Sequence, residues 1–559
     1  MLLNCLSKKF LPALLLAVGF SCSFSFAQEH PVNVQNVTAA EKLLGLEFTP
    51  AQRDSLQDDL KDYLEGYESV READIPNGLA PAFVFDPRPE GFTISKFQQP
   101  INWQLPEKVK LPKDLDELAY YSVGELAYLI KNKKISSVEL TKFFLERLKT
   151  YGDTLECVVT ITEERALAKA KEADAAIARG EYKGPLHGIP YGAKDLFAVA
   201  GYPTTWGAMP YKDQMIDGDA TVIQKLDEAG AILVAKLTLG ALAWGDVWFG
   251  GVTKNPWNLL EGSSGSSAGS ASAVAAGLVP FALGTETLGS IVSPSTRCAT
   301  TGLRPTYGRV SREGAMALSW TMDKIGPIAR SAEDCALVFN VIRGADPGDD
   351  STVDAPFNYQ PQKPLSALRI GYLKEAFEAD YPNRPYDSLT LVKLREMGAE
   401  LHEVNLPQGF PLDGLSVILS AEAAAAFDDL TLSDQDTMLV RQIKNAWPNV
   451  FRAARFIPAV EYIQANRIRQ ALIKEMHEVM KDYDVVVTPT YGGAQLFITN
   501  LTGHPCVVVP NGLNEDGTPA NMSISFIGPL YGEAGLLNIA RAYQQATKWD
   551  EMHPPLFSE

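Results

Sequence analysis

Histidine and cysteine are both scarce in this chain, six of each among 559 residues. His30, His187, His402, His477, His504 and His553 form no close pair at metal-ligand spacing, so no histidine-bound metal is expected. Cys5 and Cys22 fall in an N-terminal leader. Cys157, Cys298, Cys335 and Cys506 lie far apart with no C-x-x-C spacing, which argues against a zinc site and a disulfide scaffold. Buried free thiols are expected instead, with one incidental disulfide open after export. Basic runs are lacking too. Fifty Lys and Arg stand against 68 Asp and Glu, a net charge of −18, and a surface this acidic repels phosphate backbones. Nucleic acid is therefore not an expected partner. Beyond the leader, no apolar run approaches the roughly 20 residues that span a bilayer.

The leader has the order of a secretory signal. Lys8 and Lys9 supply positive charge, Phe10 to Phe20 an apolar stretch, and Ser25-Phe26-Ala27 a small-x-small cleavage site. Residues 1–27 are thus expected to be removed, leaving a periplasmic or extracellular protein with no stable membrane insertion. Cys22 leaves a lipoprotein anchor open, although Gly19-Phe20-Ser21 is a poor lipobox.

Residues 28–111 are expected to form a small helical and irregular arm. Thr49-Pro50 is a good helix start, opening an amphipathic helix toward Arg71, and a Pro-rich stretch follows from Ile75 to Pro106. From 112 to 555 the pattern becomes α/β, one large catalytic domain. Ser122-x-x-Glu125 and Ser136-x-x-Glu139 are capping boxes. Val158–Thr162, Ala231–Ala235, Tyr483–Thr488 and Cys506–Val509 are strand candidates, and Glu163–Arg179 and Ala220–Glu228 are helix candidates.

Three stretches carry the chemistry. They are Gly-Ile-Pro-Tyr-Gly-Ala-Lys-Asp-Leu-Phe (188–197), Gly-Ser-Ser-Gly-Ser-Ser-Ala-Gly-Ser (262–270) and Gly-Thr-Glu-Thr-Leu-Gly-Ser (284–290). A serine hydroxyl needs a neighbouring base before it attacks. Lysine serves as that base only when burial keeps its amine neutral, and Ile189, Pro190, Tyr191, Ala193, Leu196 and Phe197 are apolar enough to allow it. The Gly/Ser tract at 262–270 has the composition of a flexible linker. The helix-compatible run Ala271–Val279 and the strand-like Pro280–Leu283 that follow disfavour that reading. The tract also contains G-x-S-x-G over 265–269, which would make Ser267 the nucleophile of an elbow with a downstream Asp and His. Such an elbow follows a buried strand, whereas the turn-prone Lys254-Asn255-Pro256-Trp257-Asn258 precedes this one.

Together the three stretches resemble the amidase signature family. The likeness runs over about 115–550 and includes Gly184–Gly188, Gly302–Thr306 and Asp323–Pro327. The resemblance implies an α/β fold with a large mixed β-sheet flanked by helices, plus a small helical N-terminal segment. It implies Lys194 as base, Ser266 as proton relay after a cis peptide bond, and Ser290 as nucleophile. The backbone amides of Thr287, Leu288, Gly289 and Ser290 would hold the oxyanion. Ser267, Thr488 and Thr490 are candidate substrate contacts. The substrate would be a small-molecule amide, with no metal or organic cofactor, and a homodimer is left open. Two departures stand out, Leu288 where the family usually has glycine and Val292 where it usually has arginine. A positive φ at Leu288 would be strained, and its side chain would narrow the acyl pocket. Loss of the arginine would remove a partner for Glu286. Other roles in the same fold are the glutaminase-like subunit of a transfer-RNA amidotransferase, and a catalytically silent binding protein.

Overall fold

The computed structural model describes residues 31–73, 75–512, 514 and 523–558, so the leader, its cleavage site and His30 lie outside the described residues. The chain divides into two units at Asp74/Ile75. The first holds two helices, Val34–Leu44 and Pro50–Arg71. Thr49 and Gln52 close a capping box on the second, and Arg53 pairs with Glu41 at 2.9 Å. The arm expected over 28–111 therefore splits, because residues 75–110 belong to the larger unit. Polar side chains tie them there. Asn77 donates to the carbonyls of Ala317 and Ala426, and Gln98 donates to that of Phe357.

The larger unit is built on an eleven-stranded mixed sheet. In chain order its strands are β1 (Val158–Ile161), β2 (Pro190–Lys194), β3 (Ile232–Leu237), β4 (Phe281–Glu286), β5 (Thr301–Arg304), β6 (Lys324–Ala329), β7 (Ile370–Leu373), β8 (Leu401–Val404), β9 (Val485–Pro489), β10 (Cys506–Pro510) and β11 (Ser523–Ile527). Across the sheet they run β1-β3-β2-β4-β6-β5-β10-β11-β9-β7-β8. β3, β2 and β4 are mutually parallel, as are β9, β7 and β8, and the other pairings are antiparallel. Every residue of β2, β3 and β4 is buried, the pattern of a parallel sheet covered on both faces. Ligands in such sheets bind beyond the carboxyl ends of the strands. Lys194 is the last residue of β2 and Glu286 the last of β4.

Both expected capping boxes form, at Ser122/Glu125 and Ser136/Glu139. The helix expected over 271–279 lies at Ala268–Ala275, three residues earlier, directly after Ser267. Its small residues permit close approach to the sheet. A Cβ on Gly269 would come within 2.5 Å of the Cys157 carbonyl oxygen and the Thr238 amide nitrogen. Cys157, Cys298, Cys335 and Cys506 are buried free thiols, and burial pushes their pKa values up, to about 12 for Cys157.

Candidate active site

Lys194 ends β2 with its side chain wholly inside the protein. The residue after it is pinned as well, Asp195 pairing with buried Lys236 at 2.7 Å. The Lys194 amine donates to three hydroxyls: Ser266 Oγ at 2.8 Å, Thr285 Oγ1 at 2.8 Å and Ser267 Oγ at 3.1 Å. Burial pushes the Lys194 pKa down from 10.5 to about 7, against the opposing pull of the Asp323 and Glu286 carboxylates. At that value half of the molecules carry a neutral amine near pH 7.

The Gly265–Ser266 peptide is cis. The bond lies against the 240–246 stretch, where a Cβ on Gly265 would come within 1.8 Å of the Gly245 carbonyl oxygen. Ser267 is fully buried, and its hydroxyl donates to the Thr285 carbonyl at 3.1 Å while accepting from the Thr285 amide at 3.1 Å. The strand before the tract, Asn258–Gly262, belongs to a separate two-stranded sheet and not to the central one. Both facts count against the elbow reading. Ser267 is a fixed hydrogen-bond partner of the lysine, with no free face for a substrate.

Ser290 follows β4 and is 7% exposed. Its carbonyl accepts from the Ser267 amide at 3.1 Å, which holds the two serine segments together. Among the described residues its hydroxyl makes no hydrogen bond, so the link from Ser266 to Ser290 is not closed here. The amides of Leu288, Gly289 and Ser290 likewise donate to no acceptor among the described residues, the condition an oxyanion site requires. Thr287, the fourth expected donor, has its side-chain hydroxyl on Asp323 Oδ1 at 2.5 Å.

The turn is held from behind by Glu286. Its Oε2 accepts from the amides of Ile291 and Val292, each at 2.9 Å. Its Oε1 accepts from Arg304 at 2.8 Å and Asn500 at 2.9 Å. Burial alone would raise the Glu286 pKa, but Arg304, the amide bonds and nearby Lys324 outweigh it and hold the carboxyl at about 2. Arg304 thus supplies the cation that Val292 lacks, and the Val292 side chain packs in an apolar cluster with Met322 and Ile498. The positive φ of the turn falls on Gly289, at +84°, and not on Leu288, so the strain anticipated at Leu288 is absent.

Thr488 and Thr490, the other expected substrate contacts, are buried with their hydroxyls engaged by the protein. Thr488 donates to the Pro489 carbonyl, and Thr490 donates to that of Ser523. His187 and His504 are buried and hydrogen-bonded near their own loops, and burial lowers the His504 pKa to about 3. The sequence reading missed the roles of Thr285, Asp323 and Arg304. All three lie inside stretches it had already singled out, but nothing in their spacing distinguished a lysine ligand or a carboxylate brace from ordinary neighbours.

The sequence profile of the Amidase family matches residues 139–496. A glutamyl-tRNA(Gln) amidotransferase subunit of Coxiella burnetii is 34% identical, with 78% of this chain and 99% of that protein covered. Its counterpart from Pseudomonas aeruginosa is 33% identical at the same coverage. Among solved structures, the peptide amidase of Stenotrophomonas maltophilia superposes with a TM-score of 0.71 at 28% identity, covering 79% of this chain and all of that one. An amidase family protein of Bacillus anthracis gives 0.68 at 29% identity, covering 78% and 93%. With the profile spanning more than half its length, this chain belongs to the amidase signature family, enzymes that break the carbon–nitrogen bond of amides.

Proposed function

We propose that the protein is an exported serine amidohydrolase acting on small carboxylic amides. The observation that carries this reading is the buried Lys194 amine, its neutral form favoured by burial and its head hydrogen-bonded to Ser266. Neutral Lys194 takes the Ser266 proton as Ser266 takes that of Ser290. Ser290 attacks the amide carbonyl, and the amides of Thr287 to Ser290 receive the charge that develops on oxygen. The proton returns through Ser266 to the departing ammonia or amine. Water then attacks the acyl-enzyme by the same route in reverse. Thr285 and Ser267 hold the lysine head in place, and Glu286 holds the turn.

Export rests on the order of charge, apolar run and cleavage site in residues 8–27. A second reading, the glutaminase-like subunit of a transfer-RNA amidotransferase, is favoured by the names of the C. burnetii and P. aeruginosa relatives. Two measurements decide between them. Purified protein without partner or transfer RNA is screened on simple amides, anilides, peptide amides and glutamine, beside Ser290→Ala. The mature N-terminus is then sequenced from native cells. Turnover of several amides that Ser290→Ala abolishes, with a terminus near Gln28, is the expected result. Turnover of glutamine alone, only with a partner present and with an intact Met1 terminus, refutes it.

A further inference from the structure

The segment from Met438 to Gln470 carries a charge opposite to the rest of the chain. It contains Arg441, Lys444, Arg452, Arg455, Arg467 and Arg469 but one acid, Glu461, within a protein of net charge −18. Arg469 is buried. Arg452 pairs with Asp436 at 2.7 Å, and Arg455 pairs with Asp428. Among the described residues no carboxylate pairs with Arg441, Lys444 or Arg467.

The same segment leaves large apolar side chains in water. Met438, Val440, Ile443, Phe456, Val460 and Ile463 are each half to two-thirds exposed. Val460, Ile463 and Arg467 are spaced i, i+3, i+7 on the helix Ala459–Met480, which places them on one stripe. The short helix Trp447–Ala454 joins the two ends of the strip. The Asn449 side chain binds the Lys444 carbonyl at 3.0 Å, and Arg452 reaches back to Asp436. Trp447 and Phe451 turn inward, stacking with ring centroids 5.0 Å apart, while Phe456 stays outside. What remains outside includes aliphatic groups, one phenylalanine, the three cations that no carboxylate pairs with and one acid, Glu461.

We propose that this strip seats the enzyme on an anionic lipid bilayer. Apolar side chains of this size partition to the boundary of headgroups and acyl chains, and cations beside them meet lipid phosphates. The sign of the charge selects the occupant, since the acidic remainder of the surface repels such a bilayer. A protein-docking face would instead centre on exposed aromatic residues in mixed charge. The strip also reaches the wall of the catalytic site. Leu439, Arg441 and Trp447 line a crevice with Trp244, whose neighbour Gly245 lies against the cis Gly265–Ser266 bond. A seated enzyme thus has that wall close to amides dissolved in the bilayer.

The test is co-sedimentation of the full chain with vesicles of equal phosphatidylglycerol and phosphatidylcholine, and with phosphatidylcholine alone. Two triple variants are compared with wild type, Ile443→Ser/Val460→Ser/Ile463→Ser and Arg441→Ser/Lys444→Ser/Arg467→Ser. Leu260→Ser, 96% exposed elsewhere, is the control. Each cation near an anionic surface contributes about fivefold to partitioning, so the charge variant should lose about 100-fold on mixed vesicles. The apolar variant should lose binding to both vesicle types, and Leu260→Ser should bind as wild type. Equal binding by all four proteins overturns the proposal, since the leader would then account for it. Conversion of a dimer to a monomer by either variant, with vesicle binding unchanged, overturns it in favour of an interface between copies. Thermal melting curves matched to wild type confirm that the exposed substitutions leave the fold intact.

Discussion

Replacing Lys194 by methionine should abolish turnover and yet stabilise the protein in mild acid. The amine is wholly buried, and its pKa lies near 7 instead of 10.5, a displacement equivalent to roughly 5 kcal/mol. Between those values the folded protein holds fewer protons than the unfolded chain, so this contribution to stability rises with pH. Below about pH 7 the full penalty of burying an ammonium opposes folding, and above about 10.5 none remains. Methionine of similar volume removes the penalty but leaves three hydroxyls one partner short, at about 1 kcal/mol each. The net effect is a gain of about 2 kcal/mol at pH 6. By pH 9 the residual penalty is only about 2 kcal/mol, and the variant becomes about 1 kcal/mol less stable than wild type. Urea unfolding at the two pH values measures both. The wild-type enzyme supplies the kinetic counterpart. On a neutral amide, kcat/KM should climb about tenfold per pH unit below 7 and level off above 8. Lys194→Arg, which cannot deprotonate, should lose at least about 10³-fold. A flat profile from pH 5 to 8, or a methionine variant less stable than wild type at pH 6, would refute the reasoning.

Glu286→Gln should lower kcat by roughly 10²–10³-fold with KM little changed, because the turn that carries the oxyanion amides loses its brace. The same change leaves Arg304 buried without an anion, at a cost of about 3–5 kcal/mol, so thermal melting should drop by about 3–5 °C. A variant with normal kcat and a lowered melting point would make Glu286 a stability residue only. Leu288→Gly should raise kcat/KM for bulky acyl amides relative to small ones, since each methylene of space in an apolar pocket is worth about 1–3 kcal/mol. An unchanged ratio would show that Leu288 does not face the acyl group.

Much of the fold was legible because its signals are local. The capping boxes at Ser122 and Ser136, the Thr49-Pro50 start and the apolar runs of β9 and β10 depend on neighbours within a few residues. The boundary at Asp74/Ile75 was not legible, because side chains such as Asn77 and Gln98 fix it by reaching partners 240 to 349 residues away. The site divides in the same way. Lys194, Ser266 and Ser290 stand in recognisable surroundings, while Arg304 became the partner of Glu286 only when β4, β6 and β5 were laid side by side. The partners of the Thr488 and Thr490 hydroxyls were not legible for a related reason. A threonine shows its hydroxyl in the sequence, but whether it is already engaged depends on the fold, as where Thr490, just past β9, reaches the Ser523 carbonyl of β11.

The closed surroundings of the lysine head also govern timing. An amine with no exposed surface, ringed by three hydroxyls, trades protons with water only through those hydroxyls. Ser266 and Ser267 are wholly buried, so the paths outward run past Thr285, 9% exposed, and Ser290, 7% exposed. Once Ser290 has attacked the carbonyl its oxygen carries no hydrogen, and the path through it is shut. In the proposed sequence the proton then on the lysine goes through Ser266 to the departing nitrogen. The amine works as a way station for a single proton, and the Ser290 path reopens when the acyl group leaves.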